Sequence, residues 1–129
     1  MILFAKGFAM ANQIVWCDIP VLDVDRAVKF YSAVLGATVK KQEFSGMTMA
    51  ILPHNDGEVG GCLFESADDK PSDNGPMIYL NVNGRLDEAI AAVVPNGGKV
   101  LKPKHTIGPY GSRAIILDSE GNRIALHSN

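Results

Sequence analysis

Two strand-like segments of the sequence place an aromatic ring beside a polar side chain at alternate positions. In "WCDIPV" these are Trp16 and Asp18, and in "MIYLNV" they are Tyr79 and Asn81. Successive side chains on a strand point to opposite sides, so each pair shares a face away from the apolar set. Large rings mixed with a few polar groups are typical of a small-molecule cavity, although a solvated sheet face or a subunit contact would have the same pattern.

The same alternation extends this candidate face to other strands. In "RIALH", Ile124 and Leu126 belong to the core set, and the remaining side chains lie opposite. In "GCLFE", either alternate set could be the inner one, and we place Glu65 on the candidate face. The predicted ligand-binding residues are Trp16, Asp18, Glu65, Met77, Tyr79, Asn81, Ala125 and His127, with Arg123 on the same face.

Two loops hold further polar side chains: His54, Asp56 and Glu58 in "PHNDGE", and His105, Tyr110 and Arg113 around "IGPYGS". The first loop has the Asn and Gly of a hairpin turn, which favours a solvated turn over a metal site. The second either closes over a ligand or joins two strands. No Ser, His and Asp ordering and no cysteine with a basic partner stands out in the sequence.

Composition bounds the protein class. The chain has 129 residues, enough for one domain with a real core. A formal net charge of -2 without a basic cluster argues against nucleic-acid binding. Cys17 and Cys62 lie in apolar runs, which is typical of buried thiols in a reducing compartment and predicts a cytoplasmic protein. The opening "MILFAKGFA" is too short and too interrupted by Lys6 to span a membrane, so we expect an N-terminal extension at 1–12.

The order of predicted elements is repeated along the chain. A strand, a helix and three strands occupy 13–66, a polar linker follows at 67–75, and the same order returns at 76–128. A shift of 61 positions superimposes Val21 on Val82 and Gly36 on Gly97. This pattern predicts one α+β domain at 13–129, made of two βαβββ units.

Three segments resemble the vicinal oxygen chelate superfamily, which includes glyoxalase I, bleomycin-resistance proteins and extradiol dioxygenases. They are "PVLDVDRAVKFYSAVLGATV", "YLNVNGRLDEAIAAVVPNGGKVL" and "LDSEGNRIALH". The resemblance covers about 13–128 and is strongest to a short-chain subgroup related to lactoylglutathione lyase. It implies two units that curl as a mixed sheet around a central cavity, with the helices outside, and it implies a homodimer.

Metal-dependent members of this superfamily take His, Gln or Glu ligands from the first and last strands of each unit. The resemblance places these positions on Trp16, Met77, Ala125 and the stretch from Leu63 to Glu65. Indole, thioether and methyl groups do not suit a hard divalent ion, so we expect no metal and no other cofactor. A register shifted by two residues would instead gather Asp18, Tyr79 and His127 with Glu65 as a plausible ligand set.

The leading functional hypothesis is a metal-free protein that binds a small aromatic or amphipathic molecule. One alternative is a metal-dependent lyase or dioxygenase that uses the shifted ligand set. Another is a metal-free, isomerase-like enzyme with Glu65 or His127 as the base, and a third is an interaction protein that dimerises through the open face. The sequence allows both a cavity within one chain and a cavity between two chains.

Overall fold

The computed structural model describes residues 12–129. Its elements are strand β1 (Trp16–Val21), helix α1 (Val24–Leu35), strands β2 (Lys40–Phe44), β3 (Met47–Ile51), β4 (Gly60–Glu65) and β5 (Ile78–Asn81), helix α2 (Leu86–Val93), and strands β6 (Lys99–Thr106), β7 (Ser112–Leu117) and β8 (Arg123–Ser128). Short 3-10 helices cover Val94–Asn96 and Gly108–Tyr110. The extension predicted at 1–12 lies outside the described residues except for Asn12.

The strands form two four-stranded sheets with the same topology. The first sheet has the order β1-β4-β3-β2 and the second the order β5-β8-β7-β6. In each unit the first and last strands along the chain are parallel neighbours, β1 with β4 and β5 with β8. The other neighbouring strands are antiparallel. The predicted α+β class and the two βαβββ units are confirmed. The two sheets remain separate in the described part of the chain and do not close into one continuous sheet.

Helix α1 forms where the sequence combines a strong cap with an apolar stripe. The side chain of Asp23 accepts a hydrogen bond from the backbone N–H of Arg26 at 3.0 Å, which satisfies one of the free donors of the first turn. The helix ends at Gly36, whose φ of 67° is left-handed and whose N–H donates to Ser32 O. Gly97 has the same role after α2, with a φ of 97°.

The two units share one hydrophobic core. Helices α1 and α2 pack against each other, each also covers one face of its own sheet, and the buried side chains of both units form a single cluster. Phe30, Tyr31 and Val34 of α1 are fully buried there with Val93 of α2. The shared core explains how two thin units are stable as one domain, because neither could bury enough apolar surface alone.

A buried polar turn between β7 and β8 joins the second unit to helix α1 of the first. Asp118 is 2% exposed, and its carboxylate accepts hydrogen bonds from Tyr31 OH at 2.5 Å and from Asn122 Nδ2 at 3.0 Å. Asn122 Nδ2 also donates to Pro20 O at 2.8 Å. Burial, and then the nearby Asp118 carboxylate, raise the pKa of Tyr31 well above its ordinary value, so its phenol stays a donor.

The Glu120 carboxylate in the same turn binds the start of α1. It accepts hydrogen bonds from the backbone N–H groups of Leu22 and Asp23, and it pairs with Arg26 at 2.7 Å. Burial alone would raise the pKa of Glu120, but the hydrogen bonds from Arg26, Ser119 and the two backbone groups outweigh burial and lower it. The segment "DSEGN" is therefore a hairpin turn that also connects the two units through hydrogen bonds. We call this turn the joint between the units.

Candidate functional site

Each sheet has an outer face, which we define as the face opposite its helix. In the second sheet, Tyr79 pairs with Ala125 and Asn81 pairs with His127. Strand partners point to the same side, and the intervening partners Leu80 and Leu126 face the core, so these four residues lie on the outer face. By the same alternation Arg123 belongs to this face, whereas Met77 precedes β5 and has no strand partner within residues 12–129.

In the first sheet, the outer face places Trp16 beside Asp18. Trp16 Nε1 donates to Asp18 Oδ1 at 2.8 Å, and the Cys62 thiol donates to the same oxygen at 3.3 Å. The indole lies over Gly60, where a Cβ atom would come within 2.9 Å of Trp16 Cζ3. The indole is 43% exposed, and His54 meets it edge-on with ring centroids 6.0 Å apart. The carboxylate beside the indole is thus the acceptor for its N–H group.

The two cysteines do not form a reactive pair. Both are free thiols; Cys62 is on the outer face, while Cys17 pairs with Gly61 on the core side. Burial, and then the hydrogen bond to Asp18, raise the pKa of the Cys62 thiol to about 11. The thiolate is the nucleophilic form of cysteine, so this raised pKa disfavours Cys62 as a nucleophile at neutral pH.

The predicted placement of Glu65 on the candidate face is wrong. Glu65 pairs with Val21, and both alternate with the outer-face residues of their strands. Its side chain instead accepts a hydrogen bond from the backbone N–H of Val24 at 2.8 Å, at the start of α1. The carboxylate therefore satisfies a free donor of the helix N-terminus on the opposite side of the sheet.

A cluster of basic and aromatic side chains occupies the outer face of the second sheet. Arg113 Nε donates to His105 Nε2 at 2.9 Å, Arg113 Nη1 donates to Tyr79 OH, and the guanidinium carbon lies 5.7 Å from the centre of the Tyr79 ring. His127 Nε2 donates to the carbonyl oxygen of Tyr110 at 2.6 Å, and its ring meets Tyr79 edge-on at 6.1 Å.

These side chains line the second-sheet cavity, of about 460 Å³. Its wall consists of Tyr79, Ile107, Tyr110, Arg113 and His127. The volume is within the range of small-molecule sites, and the lining combines apolar surface with oriented donors. Tyr79 and His127 belong to the predicted set, whereas Ile107 was missed. Arg113 and Tyr110 belong to the loop that the sequence predicts either to close over a ligand or to join two strands.

A sequence signal for Arg113 does exist. The turn "DSEGN" closes the hairpin between β7 and β8, and its first pair outside the turn is Leu117 with Arg123. Counting outward from that pair brings Arg113 opposite His127, on the same face.

The other predicted residues line different cavities or are buried. Tyr79 and Asn81 also border an inter-unit cavity of about 360 Å³, whose first-unit wall includes Cys17, Ile19, Leu52 and Gly61. Asp18 lies with Arg123 in a third cavity of about 340 Å³, lined also by Lys70, Ser72 and Asn74 of the linker. Ala125 is fully buried. The contacts and cavities of residues 12–129 do not bring Trp16 to Met77 or Ala125 around one interior.

The shifted ligand set is also not gathered. Asp18 is on the first sheet, Tyr79 and His127 are on the second, and Glu65 faces the helix. Within residues 12–129, no three His, Cys, Asp or Glu side chains are close enough together to hold a metal ion. None of the helices in the described range is both long and apolar enough to cross a membrane.

Comparisons with known proteins place the chain among relatives of this fold. The model of the Glyoxalase/Bleomycin resistance protein/Dioxygenase superfamily matches residues 13–126. A glyoxylase-like domain-containing protein of Didymella fabae is 32% identical over 121 residues, which cover 89% of this chain and 92% of that protein. The protein CFP32 of Mycobacterium bovis is 28% identical, and the chain spans only 43% of its length.

Among solved structures, the fold is similar to a glyoxalase/bleomycin resistance protein from Albidiferax ferrireducens T118. The TM-score is 0.72 at 19% identity, and the match covers 92% of this chain and 99% of that one. At this identity the likeness concerns the fold, and activity has to be argued from the side chains of this chain.

Proposed function

The chain belongs to the Glyoxalase/Bleomycin resistance protein/Dioxygenase superfamily, and from that premise we propose that it binds a small aromatic or amphipathic molecule without a metal ion. The observation that supports this most directly is the second-sheet cavity, where two tyrosine rings and Ile107 surround the guanidinium of Arg113 and the imidazole of His127. Apolar walls supply affinity, and a few oriented polar groups supply specificity.

The chemistry of the four positions that the family resemblance implies as metal ligands supports the metal-free part of the proposal. The indole nitrogen of Trp16 has no lone pair to offer and donates its hydrogen to Asp18. Ala125 has no donor atom, and the Met77 thioether prefers soft metals. The Glu65 carboxylate is held at Val24 N on the other side of the sheet. The residues at these positions do not fit a divalent metal.

Ligand-detected NMR with a set of small aromatic and amphipathic compounds tests the proposal on chelator-treated protein. We expect binders, and we expect Ile107→Asp to lose them because it places a carboxylate in the cavity wall. Val94→Asp is the matched control, since Val94 is 64% exposed and lies outside this cavity. Binding that requires an added divalent cation, or that survives Ile107→Asp, would contradict the proposal.

A metal-free enzyme that uses His127 as its base is a second candidate. A carbonyl oxygen only accepts hydrogen bonds, so His127 Nε2 must carry the proton in its contact with Tyr110 O. In the neutral ring this leaves the lone pair on Nδ1, as a base requires. Exchange of acidic C–H protons of bound compounds in D2O, lost in His127→Asn, would support it. Compounds that bind without proton exchange would contradict the enzyme candidate, and the binding function would remain.

We also propose that a second copy of the chain covers the outer faces. The outer face of the first sheet has an apolar patch of Trp16, Met47, Met49, Ile51 and Phe64, which lies beside Asp18, Lys40 and Gln42. Met47 is 47% exposed there, which leaves a surface to cover. The outer face of the second sheet also exposes a large ring, Tyr79, so the first sheet of one copy can cover the second sheet of another and enclose the second-sheet cavity between them.

Sedimentation equilibrium tests this homodimer. Two-fold symmetry would use each contact twice, so we expect Met47→Lys to weaken the dimer, with Val94→Lys as the exposed control. A wild-type chain that stays monomeric at all concentrations would exclude the arrangement.

The expected lack of nucleic-acid binding and the expected cytoplasmic location stay predictions. The outer-face cations are few and are interspersed with aromatic and aliphatic side chains, which supports a small-molecule partner over nucleic acid. Free thiols at Cys17 and Cys62 are consistent with the cytoplasm. Cell fractionation tests the location, and a filter-binding assay with DNA and RNA tests the partner.

A further inference from the structure

We propose that Arg113 holds an anion in the second-sheet cavity, so that the ligand joins an aromatic or apolar body to a single carboxylate group. This inference rests on the proposed binding function and narrows the class of molecule that the cavity takes. Three observations support it: the charge of Arg113 has no acidic partner among residues 12–129, its orientation is fixed, and the cavity walls suit an apolar body.

The partners of Arg113 are neutral. A guanidinium keeps its proton, so His105 Nε2 must accept the hydrogen bond from Arg113 Nε with its lone pair. The proton of the His105 ring is then on Nδ1, which donates to Pro103 O at 2.8 Å. The second partner, Tyr79 OH, is a phenol. These bonds satisfy donors of Arg113 without neutralising its positive charge.

In the described part of the chain, the strand residues that share this face include no carboxylate either. Arg113 lies between His127 on β8 and His105 on β6 as its cross-strand partners. The ion pairs within residues 12–129 are Arg26 with Glu120, Lys41 with Asp25, and Lys104 with Asp87. Arg113 is in none of them. A half-buried cation of this kind gains more from an anionic ligand than a fully solvated one does.

The two hydrogen bonds use only two of the five N–H groups of the guanidinium, one on Nε and one on Nη1. The group is therefore held in one orientation with donors left for a ligand, and two parallel N–H groups match the two oxygens of a carboxylate. One guanidinium balances one negative charge, which favours a carboxylate over a dianionic phosphate.

The rest of the cavity suits an apolar body. Tyr110 is 73% exposed and belongs to the short helix Gly108–Tyr110. Its carbonyl oxygen is bound by His127, which fixes this segment beside the sheet. Gly111, with a φ of 93°, then turns the chain into β7, where a Cβ atom would collide with Ser128 O. The tyrosine is thus placed over the cavity with a face free for stacking.

Calorimetric titration with 2-naphthoate and its neutral isostere 2-naphthamide tests the inference. We expect wild-type protein to bind the acid about tenfold or more tightly than the amide, as a charge-assisted pair implies. Arg113→Gln removes the charge, so we expect it to bind the acid no better than the amide. Arg123→Gln is the matched control, because Arg123 shares the face but lies outside this cavity.

The possible outcomes distinguish a failure of the anion inference from a failure of the proposed binding function. Equal wild-type affinities for acid and amide would overturn the anion inference while the binding function stands. No binding of either compound would overturn both. Tighter binding of 2-naphthyl phosphate than of 2-naphthoate would overturn the carboxylate assignment. The wild-type comparison needs no variant, so it decides the question even if Arg113→Gln folds poorly.

Discussion

The two βαβββ units have the same topology and different outer-face chemistry. In the first unit, Oδ1 of the Asp18 carboxylate accepts hydrogen bonds from Trp16 and Cys62 within the face. In the second unit, Arg113 is held by neutral partners and keeps an unbalanced charge beside a cavity. A shared backbone arrangement therefore does not imply a shared site, because the topology determines which positions share a face and the side chains determine what that face binds.

The largest effect should come from breaking the joint between the units. Asp118→Ala leaves Tyr31 OH and the backbone N–H groups of Glu120 and Asn122 without their acceptor in a buried turn. We expect a loss of about 3 to 5 kcal/mol in the free energy of unfolding, measured by urea denaturation.

Asp87→Ala is the matched control for that change. Asp87 also loses a partner, Lys104, but the pair is exposed, so the expected loss is about 0.5 kcal/mol or less. Similar losses for the two variants would show that the turn does not join the units.

Alanine substitutions at Gly98 and Gly60 compare the packing of the two units. A Cβ atom at Gly98 would lie 2.5 Å from the Leu117 carbonyl oxygen and 2.6 Å from Phe30, neither of which can move easily. We expect Gly98→Ala to cost about 1 to 3 kcal/mol. At Gly60 the added atom meets the Trp16 and His54 side chains, which can shift, so Gly60→Ala should cost less and should change Trp16 emission. The reverse order in thermal unfolding would contradict this comparison.

Trp16→Ala tests whether the indole belongs to the outer face or to the core. A buried Trp→Ala change costs about 3 to 5 kcal/mol. Because Trp16 is 43% exposed, we expect about 2 to 3 kcal/mol, scaling that cost by the buried fraction. Chemical denaturation measures it, and a loss as large as that of a core residue would mean that a second copy buries the indole.

The smallest effect is the acid dependence of the joint. The folded-state pKa of Glu120 is lowered, so its contribution to stability is complete above the ordinary carboxyl pKa of about 4.3 and is lost as pH falls through the lower folded value. The effect is small because the Arg26 side of the pair is 48% exposed. Thermal unfolding of wild type and Glu120→Gln from pH 7 to 3 should show a shallower acid decline in the variant. Parallel declines would argue against this role.

Much of the architecture is predictable from local patterns. The apolar stripe and Gly36 predict α1 and its end, and the shift that relates Gly36 to Gly97 predicts the repeated unit. Both depend on spacing along the chain, which is a property of helices and strands that the sequence states directly. The outer-face positions of Tyr79 and His127 follow from the same alternation.

The sequence by itself determined which side chains share a face; the tertiary structure decided which face is which and what each face meets. In "GCLFE" both alternate sets are apolar enough to be inner, and only the pairing of β4 with β1 turned Glu65 toward α1. The bonds from Arg113 to His105 and Tyr79 join three strands, and the separation of Trp16 from Tyr79 depends on two sheets arranged around one helix pair. Alternation is local, whereas these contacts depend on how distant segments pack, so no periodicity in the chain encodes them.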